Sequence, residues 1–168
     1  CKNHEQKIAD FLELKNLPAI FYGEDAKKQL LDYVEKNGEN WLLKTNGCFI
    51  HKNLPDEFKD GVICVTNASV STLAHELVHY KQFKNNSHWL HKNRIKKLYY
   101  STCYDIYPSE REAFFTARKY LKSAGLKKEK RAYTWKIITM FIEWNLIRFI
   151  GVIILIILSV LALNLILY

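Results

Sequence analysis

The chain has 168 residues, 49% of them hydrophobic, with only three Pro and six Gly. That length fits one domain with an appended segment, and the composition excludes disordered, collagen-like and low-complexity chains. The net charge of +8 is unevenly placed: residues 1–80 carry −3, residues 81–136 carry +11, and residues 137–168 hold only Glu143 and Arg148. A basic stretch that runs into an uncharged end points to an anionic membrane surface, and no nucleic-acid partner is expected.

Taken in chain order, residues 3–16 space Ile8, Phe11, Leu12 and Leu14 for a helix that Pro18 stops. Residues 24–37 repeat the pattern with Ala26, Leu30, Tyr33 and Val34, and Gly38 supplies a C-cap. Residues 41–52 and 60–67 are rich in β-branched and aromatic side chains between turn formers, which predicts two short strands. Ser69 and Ser71 are N-cap candidates for a helix over 70–85. A basic, partly amphipathic stretch follows at 88–100, then a helix over 109–124 opened by Pro108 and closed by Gly125. Two helices, a small sheet and further helices make an α+β domain over residues 1–131. The cysteines Cys1, Cys48, Cys64 and Cys103 form no CxxC pair and read as mostly free thiols of a reducing compartment. Cys48 and Cys64 fall in the two predicted strands, where one bridge is the alternative.

Residues 132–168 are read as a juxtamembrane segment and a single transmembrane helix. Positions 149–168 contain no charge, and twenty helical residues span about 30 Å, the thickness of a bilayer's hydrocarbon core. Lys127, Lys128, Lys130, Arg131 and Lys136 precede this run and nothing charged follows it, so the positive-inside rule sets the domain on the cytoplasmic side. Tyr133, Trp135 and Trp144 are expected as interfacial anchors.

The chemistry is concentrated in His75-Glu76-Leu77-Val78-His79, an HExxH motif on the predicted 70–85 helix. Positions i and i+4 share a helix face, so His75 and His79 can turn ring nitrogens toward one zinc ion. Glu76 is the expected general base: it takes a proton from the attacking water and passes it to the leaving amine. No third His stands at the short spacing, because position 82 is Gln and position 85 is Asn. His88 and His91, and more so His4 and His51, are read as ordinary surface residues. The third ligand is sought instead in Glu110 or Glu112, which point about 200° apart on one helix. Glu110 shares its face with Phe114, Ala117 and Leu121, which must pack inward, whereas Glu112 shares its face with Thr116, Lys119 and Ser123. Glu110 is therefore the chosen ligand. For oxyanion stabilisation Tyr80, Tyr100, Tyr104 and Tyr107 are candidates, and the strand around 62–65 is one for β-augmentation by substrate, against plain core packing.

HELVHYKQ followed by YPSEREAF resembles the small gluzincin metallopeptidases, among them the ImmA/IrrE-like peptidases and related mini-zincins, and more loosely the HtpX-type membrane-bound zinc proteases. The resemblance covers residues 60–124. It implies a minimal zincin fold, a Zn²⁺ cofactor, a protein or peptide substrate, and a Glu ligand three residues before an Ala, which again selects Glu110. One position departs: Phe114 stands four residues after Glu110, where many members carry an Asp or Asn supporting a ligand histidine. A catalytically inactive zincin-fold module tethered to a membrane is the alternative reading.

Overall fold

The computed structural model describes residues 1–85 and 108–167. Expectations about 88–100, His88, His91, Cys103 and Tyr100, Tyr104 and Tyr107 fall outside the described residues. The chain divides into two compact units, Cys1–Arg131 and Ala132–Tyr168.

The first helix, α1 (Glu5–Phe11), is shorter than its apolar spacing suggests. Glu13 turns left-handed (φ 58°), and Leu14 and Glu13 donate their N–H groups back to Ala9 and Asp10. These bonds close a Schellman cap that ends the helix before Pro18 is reached. Past Pro18, residues 19–22 form β1 (Ala19–Tyr22), a strand for which the sequence offers no predicted element. Helix α2 (Gly23–Asn37) ends as expected on Gly38, whose φ of 74° few other residues adopt without strain.

The expected strand over 41–52 is only half a strand. Asn40–Lys44 forms a 3-10 turn, and β2 runs Gly47–Ile50. Strand β3 (Val62–Val65) pairs parallel with β1 and antiparallel with β2, giving the order β1-β3-β2. All four β3 residues are buried, which is why this strand reads as an unbroken apolar run. Ala26, Leu30, Tyr33 and Val34 of α2 pack with Cys48, Ile50, Val62 and Cys64 on one face of the sheet. Helix α3 (Val70–Lys84) packs against β2 and β3 and against α4 (Pro108–Ser123). Ser69 is at the N-cap of α3, but its hydroxyl bonds to Ser71 Oγ at 2.7 Å and caps no helix N–H.

Cys48 and Cys64 are direct cross-strand neighbours, both buried and both free thiols, as is Cys1. The hydrogen bond between the pair, together with burial, pushes the Cys48 thiol upward and keeps it unreactive.

Helix α5 (Lys127–Leu167) begins in the first unit and forms the second. Among the described residues no helix is long and apolar enough to cross a membrane. The span expected over 149–168 thus finds no support there, because the side chains at 155 and 160–168 lie outside the described set. Of the expected anchors, Trp135 is exposed, Tyr133 is buried, and the side chain of Trp144 is not described.

Gly47 sets the distance between sheet and helix. A Cβ at this position would collide with the Thr72 methyl group of α3 and come within 3.3 Å of Glu76 Oε1. Gly47→Ala should therefore force β2 away from α3 and cost about 1–3 kcal/mol, the usual range for overpacking. Urea denaturation measures this directly, and an unchanged midpoint would show that β2 is not held against α3.

Candidate metal centre

Helix α3, which carries both motif histidines, is a core helix. Leu73, Ala74, Leu77 and Val78 are buried, as the apolar face required, and so are Glu76, Tyr80 and Gln82. Burial on nearly all sides fixes the rotation of the helix and therefore the direction of every side chain on it. Helix α4 packs across it and buries Ala113, Phe114, Ala117 and Leu121, the face that also holds Glu110.

The three expected ligands meet. His79 Nε2 lies 3.0 Å from His75 Nε2. Glu110 Oε2 lies 3.1 Å from His75 Nε2, and Glu110 Oε1 lies 3.2 Å from His79 Nε2. An ion held tetrahedrally at ~2.0–2.1 Å keeps its ligand atoms about 3.3 Å apart, so the triangle already has nearly the dimensions such an ion requires. Two imidazoles and one carboxylate are a zinc-compatible donor set, and His75, His79 and Glu110 fit the ion that the motif predicts.

The electrostatics match the geometry. Glu110 is only 6% exposed. Burial favours its neutral acid, yet the hydrogen bonds and charges of His75 and His79 outweigh that and hold the carboxyl well below the usual carboxylate range. Burial lowers the His79 pKa, but the hydrogen bond and charge of Glu110, with a contribution from Glu76, overcome it and raise the pKa to about 9. Without metal the site is therefore a buried imidazolium–carboxylate pair. A divalent cation would replace the proton between the same atoms.

Glu76 sits one step off this triangle. It is buried, its charge acts on His79, and its Oε1 lies against Gly47 of β2. The other expectations distribute differently. Strand β3 is central and paired on both sides, so it offers no edge to a substrate; among the described residues β2 is paired on one side only, and its Gly47 lies near Glu76. Tyr80 packs edge-on against Phe49 at 5.8 Å, an aromatic-packing role. His51 stacks on Phe49, and His4 is not a plain surface residue, since its Nδ1 lies 2.7 Å from Tyr120 Oη. Phe114 sits against the His75 ring at 4.6 Å.

Two residues have contacts that the sequence did not announce. Gln82, at the position where a third His would stand in the short spacing, is 3% exposed and accepts from His79 Nδ1 at 2.9 Å. Glu112 stays away from the three ligands and receives a hydrogen bond from Gln82 Nε2 at 2.9 Å. Only an i+3 spacing from His79 and a Glu two residues past Glu110 hinted at either contact.

The two shifts have opposite pH signs. The His79 contribution is complete below its ordinary 6.5 and disappears as pH climbs through about 9. The Glu110 contribution is present above its ordinary 4.5 and disappears on acidification. The metal-stripped chain should be most stable between these two values and lose up to about 3 kcal/mol by about pH 9. With zinc the alkaline arm reverses, because a ligand imidazole must be neutral. Thermal melts with and without chelator across this range test the pair, and a flat chelated curve above pH 6.5 would show that it does not form. No protein-family model matches this chain, and no curated protein or solved structure does either.

Proposed function

We propose that this protein is a zinc-dependent peptidase of the minimal zincin type. The observation that carries the reading is the meeting of His75 Nε2, His79 Nε2 and the Glu110 carboxylate within 3.0–3.2 Å of one another. A zinc ion held there would supply Lewis acidity toward a scissile carbonyl and make a neighbouring water more acidic. Glu76 accepts the proton of the attacking water and later returns it to the leaving amine. An extended substrate adding to β2, whose outer edge is unpaired among the described residues, would run near Glu76, because Gly47 of that strand lies close to its carboxylate.

The 149–168 run supports a tether at the cytoplasmic face of a membrane. It carries no charge, and Phe149, Ile150, Val152, Ile153, Ile154, Ile156, Ile157 and Leu158 are all exposed. Alkaline extraction of membranes tests the tether: the chain should stay in the pellet. Release into the supernatant would remove the tether and leave the peptidase reading intact.

The full-length chain, purified in detergent, should carry about one zinc by mass spectrometry, and His75→Ala or His79→Ala should lose it. Glu76→Gln should keep the metal and lose at least about 100-fold in cleavage of an unfolded protein. A wild-type chain that binds no zinc, or cleavage unchanged in Glu76→Gln, would sink the reading. The Phe114 ring against His75 favours one alternative, a zinc-holding module without turnover. That alternative predicts a full complement of zinc and no hydrolysis by the wild type.

A further inference from the structure

We propose that Gln82 is the positioning residue for His79, fixing its proton on Nδ1 so that Nε2 is the nitrogen offered to a metal, and that Glu112 and Ser109 of α4 fix Gln82. This rests on the metal-centre reading of His75, His79 and Glu110, and it does not require peptidase activity.

The argument begins with the amide. Gln82 Nε2 lies 3.0 Å from the carbonyl oxygen of Ser109 and 2.9 Å from Glu112 Oε2. Both partners are oxygens that accept, so the amide end facing them must be the NH₂ group, and both of its protons are used. The carbonyl end is thereby left to face His79, with Oε1 at 2.9 Å from Nδ1. An amide oxygen only accepts, so Nδ1 must carry a proton and donate it. When the imidazole is neutral, its lone pair then lies on Nε2, the atom that faces His75 Nε2 and Glu110 Oε1. An imidazole that loses a proton to a cation loses it from Nε2, because the Nδ1 proton is held by Gln82.

The placement explains how the site manages with an aromatic ring at position 114. Helix α4 presents Phe114 to His75, yet it supports the other histidine through Gln82. It also gives Glu112 a role: the acid on the outer face of α4 aligns a side chain on α3 while Glu110 faces the ligands. Gln82 is 3% exposed, so a misdirected amide there has no solvent to compensate it, although Glu112 itself is exposed.

The test separates positioning from a mere tie between helices. Gln82→Met removes the acceptor from His79 and both donors to α4. Gln82→Glu combined with Glu112→Gln restores an acceptor to His79 and a bond between the two helices, but still leaves the Ser109 carbonyl without its donor. Zinc affinity of each full-length chain is measured by chelator competition, and cobalt substitution reports coordination through its visible absorption. Gln82→Met should bind zinc about 10–100-fold more weakly than wild type, with a changed cobalt spectrum, as the loss of a hydrogen bond to a ligand histidine does. The double variant should match the wild type in both. Equal zinc affinity in wild type and Gln82→Met would overturn the proposal, as would equal weakening in Gln82→Met and the double variant. Cleavage is not part of the readout, so a chain that holds zinc and hydrolyses nothing still decides the question. A wild type that binds no zinc overturns this proposal and the metal-centre reading together.

Discussion

The physical constraint that organises this protein is the burial of one carboxylate, Glu110, against two imidazoles. An isolated buried carboxylate costs several kcal/mol, and here the compensation comes from His75 and His79. The pair is polar and tightly spaced in a layer otherwise built of Leu73, Leu77, Ala113 and Leu121. Packed hydrocarbon of the same volume would cost less to bury, so stability alone does not account for these side chains. The proposed cation site would account for them, because one carboxylate and two imidazole nitrogens converge on one point.

The rest of the fold holds that point still. The HExxH helix is enclosed by the sheet on one side and α4 on another, and its burial leaves it little freedom to rotate. The sheet is small, with three strands of four residues each, and its central strand is covered on both faces. Gly47 lets β2 come so close to α3 that a Cβ there would stand 3.3 Å from Glu76 Oε1. A larger residue there would push the strand away from Thr72 and Glu76.

Helix α4 divides its two acids by geometry. Residues two apart on a helix point in nearly opposite directions, so Glu110 and Glu112 cannot both reach the ligand cluster. One faces the histidines, and the other meets Gln82 at the rim of the contact between α3 and α4. The consequence is that α4 touches the centre twice, directly through Glu110 and indirectly through the Gln82 amide.

Periodicity alone determined much of this protein. The HExxH residues, the ranking of Glu110 over Glu112, the α+β class, and α2 with its Gly38 cap all follow from helical spacing and local backbone preference, which act within a few residues. The four-residue strand β1 left too short a pattern to stand out from a linker. The 3-10 turn at Asn40–Lys44 shared its apolar composition with the strand that follows it. The early end of α1 depended on Glu13 adopting a left-handed conformation, which its side chain does not advertise. The contacts of Gln82, the place of β3 at the centre of the sheet and the closeness of Gly47 to Glu76 join residues far apart in the chain. Only the packing of α3 between sheet and α4 decided them, because a hydrogen bond across two elements has no period to read.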